Sequence, residues 1–323
     1  MSARTLFALA AFSLSNAALA HDVAENQPKA LGLEETLSAF NINTDDVVIT
    51  TEEIADGLHV LFDSSGMGNV VVSTGADGIL IVDDQIPQLV PKIQAAINDI
   101  AEHESDVDII VNTHWHWDHA EGNLAFGKGD VQIVAQKNSR EMMLRENIID
   151  LVGFRYKQQA YEAHGLPTVT FEKAMSFYFN DEEVALFHFG PAHTTGDTAV
   201  YFRNKNAVHT GDVFNNSGFP FIDADNGGSI DGVIAFCEAV LAEINEDTVV
   251  IPGHGPVTDY TKFSRYIEML KQTRSNIKER IDRGDSLDDI LDAKPTAQFD
   301  EEFAANGSSI TRYVDRVYTS LTR

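Results

Sequence analysis

A single cysteine stands among the 323 residues. The chain can therefore form no disulfide within itself, and a zinc site built from several thiolates is excluded. That residue, Cys237, lies in a stretch of helical spacing from Gly232 to Leu241, which is expected to bury it as a structural thiol. Positive charge is also scarce. Against 50 Asp and Glu stand 23 Lys and Arg, a net charge of −27. Such a surface repels phosphate backbones and anionic lipid, which argues against a nuclease and suits a solvated acidic coat. Beyond the first twenty residues no apolar run approaches the ~20 residues that span a bilayer. No membrane insertion is expected.

With 43% hydrophobic and 23% charged residues, the remainder has the composition of an ordinary globular protein, not of a disordered or collagen-like chain. The first twenty residues stand apart. Arg4 precedes the apolar run Thr5–Leu14, and Ala18-Leu19-Ala20 supplies a small-x-small cleavage site. This is the pattern of a secretory signal peptide, with the mature chain expected to begin at His21. Its removal would take away one arginine and no acid, moving the net charge from −27 to −28. A periplasmic or secreted protein is expected.

Residues 21–54 are polar and weakly patterned, an arm with a short helix around Glu34–Phe40. Short β-branched runs follow, predicted as strands at Leu58–Phe62, Asn69–Ser73, Gly78–Asp83, Val107–Asn112 and Val131–Val134. Helices are predicted over 88–102 and 139–147, with Val90, Ile93, Ile97 and Ile100 at helical spacing in the first. Residues 148–166 lack a firm pattern and are read as a helical excursion near the site. More strands are predicted at Thr168–Phe171, Met175–Phe179, Val184–Phe189, Thr198–Arg203, Ala207–His209 and Thr248–Ile251. Helices are predicted at 230–244, 261–283, 287–292 and 310–321. Two packed sheets with helices outside them follow from this order. No Pro- or Ser-rich linker divides the chain, so 55–260 reads as one domain with the helices of 261–323 packed on it.

Chemistry concentrates at Thr113-His-Trp-His-Trp-Asp-His119. His114, His116, Asp118 and His119 place three imidazoles and a carboxylate within six positions. These are the donors of a catalytic zinc site that stays open to water. Three further motifs follow predicted strands: Gly190-Pro-Ala-His193-Thr-Thr-Gly-Asp197, His209-Thr-Gly-Asp212 and Pro252-Gly-His254-Gly255. Each sets a metal-capable side chain beside glycine, which lets the backbone approach a site closely. Seven candidate ligands are too many for one tetrahedral ion. His114, His116 and His193 would hold one ion; Asp118, His119 and His254 would hold a second, with Asp212 bridging. Two Zn²⁺ are expected, with iron or manganese as the other possible metals. Such a pair lowers the pKa of a shared water to about 7.

The order His-x-His-x-Asp-His, a lone His, Thr-Gly-Asp and Gly-His-Gly resembles the metallo-β-lactamase superfamily over residues 55–260. The resemblance implies an α/β fold, an αββα four-layer sandwich with a C-terminal helical extension, and metals at one edge of the paired sheets. It implies a binuclear zinc-dependent hydrolase in which hydroxide attacks an electrophilic carbonyl of a small-molecule substrate. In such an enzyme Asp118 would have the catalytic role of orienting the nucleophile and shuttling its proton. β-Lactam ring opening is the leading expectation for an exported member. Asp212, however, stands where many β-lactamases carry Cys, and Asn215 and Asn216 stand where a substrate-gripping Lys is expected. The ligand set is thus a hybrid that leans towards hydroxyacylglutathione hydrolases. Thioesters, lactones or small phosphoesters are the alternative substrates, and a non-catalytic periplasmic metal-binding protein is the second alternative.

The neighbours of these residues have plainer readings. Trp115 and Trp117 are expected to pack beneath the ligand loop, and Asp197 to form a turn or orient His193. Asp83 and Asp84 could hydrogen-bond the loop or merely end a strand. His188 and His209 lie in strand patterns; His59, His103 and His164 are surface or packing residues. Met67, Phe214, Phe219 and Phe221 could wall a pocket or belong to the core.

Overall fold

The computed structural model describes residues 27–304 and 307–323; the leader expected at 1–20 lies outside them. After helix α1 (Leu33–Ala39), strands β1 (Ile49–Ala55), β2 (Leu58–Asp63), β3 (Val70–Gly75) and β4 (Gly78–Val82) form an antiparallel meander. Helix α2 (Val90–Ala101) crosses over to β5 (Ile109–Asn112), which runs parallel to β4. The short helices α3 (Trp117–Ala120) and α4 (Asn123–Phe126) precede β6 (Gln132–Gln136) and α5 (Lys137–Met143). A separate hairpin, β7 (Asn147–Asp150) and β8 (Arg155–Gln158), leads to β9 (Val169–Phe171), and the first sheet has the order β1-β2-β3-β4-β5-β6-β9.

The second sheet consists of β10 (Ala174–Phe179), β11 (Glu182–Phe187), β12 (Ala199–Phe202), β13 (Ala207–His209), β14 (Val249–Ile251) and β15 (Thr258–Asp259) in sequential order. Only β13 and β14 pair in parallel, because α6 (Ile230–Glu243) supplies a crossover between them. The chain ends in α7 (Tyr260–Arg283), α8 (Leu287–Asp292), α9 (Asp300–Phe303) and α10 (Gly307–Thr322). Asp259 caps the long α7 by accepting from the Lys262 N–H at 2.8 Å, and Gly284 ends it in the left-handed conformation at φ 86°.

Three apolar layers hold this together. Between the sheets, Leu58, Val60, Leu80 and Val111 from one face meet Val184, Leu186, Val200 and Phe202 from the other. Outside the first sheet, α2 brings Ile93 and Ile97 onto β-strand residues Val70, Val72 and Ile81. Outside the second, α6, α7 and α10 bury Phe236, Tyr266, Tyr313 and Val317. Truncating one such side chain to alanine costs about 2–5 kcal/mol. The result is the αββα sandwich expected, and the C-terminal helices form part of its outer layer. Cys237 is buried in that layer, where burial pushes its thiol pKa well up.

Two segments differ from the reading of the sequence. Ile49–Ala55, placed in the arm, is the edge strand of the first sheet; its outward side chains are polar, so alternation was faint. Of residues 148–166, read as a helical excursion, the first part is the β7–β8 hairpin and only Ala163–Gly165 make a single 3-10 turn. The preceding helix stops at Met143 because the Asn147 side-chain amide donates to the carbonyls of Met142 and Arg145.

Candidate metal centre

The sandwich places its chemistry at one edge. Strands β4, β5, β13 and β14 end there, and their outgoing loops carry Asp83, the 113–119 segment, Asp212 and His254. His193 arrives from the β11–β12 loop. All seven candidate ligands converge. Their donor atoms fall into three groups within 4.8 Å: His114, His116 and His193; Asp118, His119 and His254; and His114, His119 and Asp212. Asp212 joins the first two. Its Oδ1 lies 3.1 Å from Nε2 of His119, and its Oδ2 lies 3.3 Å from Nε2 of His254 and 3.7 Å from Nε2 of His193.

Each imidazole is held by its other nitrogen. His119 Nδ1–H donates to Asp83 Oδ2 at 2.7 Å, His193 Nδ1–H to the Phe221 carbonyl at 2.8 Å, and His254 Nδ1–H to the Gly66 carbonyl at 3.1 Å. His116 is reversed: its Nε2–H donates to Asp223 Oδ2 at 3.0 Å. His114 Nδ1–H reaches the Thr113 hydroxyl at 3.1 Å, and that hydroxyl donates to Asp83 at 2.7 Å. These partners assign the tautomers and leave one lone pair per ring facing inward.

The inward nitrogens crowd. His119 Nε2 and His254 Nε2 are 3.2 Å apart, and His193 Nε2 and His116 Nδ1 are 2.9 Å apart. Two lone pairs at such distances repel unless a cation or a proton lies between them. The buried His114 Nε2 has no hydrogen-bond partner at all. A donor set of imidazoles and carboxylates, with an orphaned nitrogen among them, fits divalent cations.

Without cations, protons balance the charge. Burial and the neighbouring imidazoles push His114 well below the ordinary histidine range. Burial works against the charge on His119 too, but Asp212, Asp83 and Asp118 override it and raise its pKa well above that range. His254 is raised to about 10 in the same way, chiefly by Asp212. Burial opposes the carboxylates, yet His119 and His254 keep Asp118 below and Asp212 well below the usual carboxylate range.

Glycines give this packing its room. A Cβ on Gly68 would run into the His119 ring, and one on Gly253 into the Asp212 carboxylate. Asp197 accepts from the backbone N–H groups of Ala192 and Thr194, so it shapes the loop of His193 from below. Asp83 binds both Thr113 and His119, beyond an ordinary strand end. His209 is buried, with Nε2 3.6 Å from Asp83. Asp84 is buried as well, and its backbone N–H donates to the His119 carbonyl at 2.9 Å, so it too ties down the ligand loop. Asp223 escaped the sequence reading, since an aspartate in a loop after Phe221-Ile222 bears no mark of the histidine it holds.

A cleft of about 450 Å³ opens over the centre, lined by Asp118, Asp212 and His254 at its floor. Met67, Trp117 and Phe221 form apolar walls. Phe214 and Phe219 belong to the core instead; Phe219 stacks on Tyr313 at 4.9 Å between centroids.

The sequence model of the metallo-beta-lactamase superfamily matches residues 60–254, which carry every one of these ligands. The chain belongs to that superfamily. Its similarity to individual members is modest. It is 26% identical over 222 residues to a "Beta-lactamase-like protein 2 homolog" of Caenorhabditis elegans, covering 67% of this chain and 66% of that protein. It is 27% identical over 192 residues to a probable hydroxyacylglutathione hydrolase of Schizosaccharomyces pombe, covering 58% of this chain and 62% of the relative. The alignments thus span just under two thirds of these relatives. A metallo-beta-lactamase from Pontibacter korlensis superimposes with a TM-score of 0.57 at 16% identity, over 69% of this chain and 99% of its own. That likeness establishes the shared superfamily fold.

Proposed function

We propose that the protein is an exported hydrolase of small acyl compounds that works with two divalent cations, zinc foremost. The observation that carries this reading is Asp212, whose two oxygens reach both ligand groups at the floor of an open cleft. Cations held there supply a Lewis acid for a carbonyl oxygen and lower the pKa of water to about 7.

The chain's own residues do the rest. Asp118, kept ionised by its histidine neighbours, projects into the cleft and is placed to orient the nucleophile and accept its proton. Met67, Trp117 and Phe221 shield the reacting bond from bulk water. Asn215 and Ser217 line the same cleft and offer neutral hydrogen-bonding groups to the substrate.

Thioester hydrolysis is the first arm of this reading, because aligned relatives are named hydroxyacylglutathione hydrolases. β-Lactam ring opening is the second, favoured by the leader pattern of residues 1–20. A panel of thioesters, lactones, β-lactams and phosphodiesters on the metal-loaded protein tests both, with chelated protein as control. A kcat/KM of about 10⁴ M⁻¹s⁻¹ or more for one acyl class supports the proposal. Full metal content with no turnover of any class points instead to a metal-binding protein.

A further inference from the structure

Strand β10 (Ala174–Phe179) is the outermost strand of the second sheet, and among the described residues no strand pairs with its free edge. The other sheet edges are guarded. β1 carries Glu52 and Glu53 and shifts register between Glu53 and Ala55, β9 is three residues long, and β15 is two residues long and leads straight into α7. Charges, irregularities and short lengths of this kind keep strand edges from pairing with other chains. β10 has none of them. It runs six residues in unbroken register with β11, and Ala-Met-Ser-Phe-Tyr-Phe contains no charge, glycine or proline. In a chain of net charge −27, an uncharged edge is where a second copy meets least repulsion.

The outer face of this strand is uneven. Tyr178 is 78% exposed, more than any other large apolar side chain among the described residues. Ala174 and Ser176, on the same face, are small, and beside them lies a groove of about 650 Å³ lined by Ala174, Phe187 and Phe189. A protrusion and a hollow thus share one face. Antiparallel pairing of β10 with β10 of a second copy must set residues of the same face opposite each other. About a twofold axis at Phe177, Tyr178 of one copy falls opposite Ser176 of the other and diagonal to Ala174, at the ~7–8 Å that an aromatic side chain spans. Each tyrosine would then enter the groove beside the other strand. The same register sets Met175 opposite Phe179 and brings Lys173 beside Asp181. Both of these charged residues are exposed, and neither side chain forms an ion pair among the described residues.

We propose that the protein forms a twofold dimer by joining β10 to β10 of a second copy, with Tyr178 of each seated in the groove beside the other strand. The two six-stranded sheets then become one continuous sheet, in which the backbone N–H and C=O groups left bare at each edge find partners. The pairing is isologous and consumes both edges, so it closes at two copies. The contact is small, one strand and a few side chains per copy. A reversible dimer with a Kd on the order of 1–100 μM is expected.

The test is sedimentation equilibrium of the metal-loaded full chain at concentrations that bracket that range. The unaltered protein should pass from monomer to dimer. Tyr178→Ala and Ser176→Lys should each raise Kd at least about tenfold, the first by removing the protrusion and the second by placing a charge opposite it. Lys173→Asp and Asp181→Lys should each weaken the dimer, and the two together should restore it, because the exchange re-forms both pairs. A dimer built on another surface would not show that recovery. Circular dichroism and the thermal midpoint of each variant show that it is folded, and the exchange of Lys173 and Asp181 serves where Tyr178→Ala does not fold. A protein monomeric throughout, a dimer of unchanged affinity in Tyr178→Ala and Ser176→Lys, or growth into open-ended assemblies would overturn the proposal.

Discussion

Asp223 accepts the Nε2–H of His116 across 3.0 Å, although 107 residues separate the two. Asn226 holds the carboxylate from the other side, donating its amide at 2.9 Å. The next acid, Asp225, pairs with Arg316 of α10 at 2.6 Å and with Arg323, which also donates to the Ala224 carbonyl. The C-terminal helix is thus connected through three loop residues to a candidate ligand.

Removing the Asp223 carboxylate should free the His116 ring to rotate. Asp223→Ala is expected to lower metal affinity about 10–100-fold, the usual cost of losing a ligand's outer hydrogen bond. Competition with a chromogenic chelator measures it. Unchanged affinity would mean that His116 needs no such support.

Gly68→Ala should displace His119, because the new methyl meets a ring that Asp83 prevents from retreating. Loss of one metal with the fold retained is the expected outcome, read by elemental analysis beside circular dichroism.

The metal-stripped protein should lose stability as pH rises. The pKa of His254 in the folded chain is about 10, against about 6.5 unfolded, and that of His119 moves in the same direction. Stabilisation from these charged imidazoles is complete below about pH 6.5 and declines towards pH 10. Asp118 and Asp212 have lowered pKa values, so their contribution is present above about pH 4 and is lost in acid. Thermal midpoints of chelated protein should therefore fall between pH 6.5 and 9.5. Metal-loaded protein, whose cations replace those protons, should change much less.

Asp118→Ala should reduce turnover at least about 100-fold, the contribution of a positioned proton acceptor. Its thermal midpoint should change far less in proportion. Full activity with intact metal content would remove the role given to Asp118.

Tyr156→Phe probes the packing behind α3 without touching a ligand. Its hydroxyl donates to Glu121 at 2.7 Å, and burial lifts the Glu121 pKa to about 7. The orphaned carboxyl should cost about 1–3 kcal/mol in urea unfolding.

Much of this was legible in the sequence for physical reasons. Strands β4, β5 and β6 are buried on both faces, and such strands read as continuous apolar runs. The ligands announce themselves because metal chemistry demands rare residue types at close spacing. Edge strand β1 and hairpin β7–β8 were hidden by their polar outward residues and short length. Asp223 was hidden differently. Its meaning lies in the His116 ring that the fold brings opposite it, and an aspartate in a loop carries no local sign of that.

The central claim is that one centre holds two cations through seven side chains, and metal stoichiometry tests it most directly. Chelator-stripped protein titrated with Zn²⁺ should take up two ions per chain. His193→Ala and His254→Ala should each retain one, since they belong to different groups. Uptake of a single ion by the unaltered chain, or of two ions by both variants, would contradict the account.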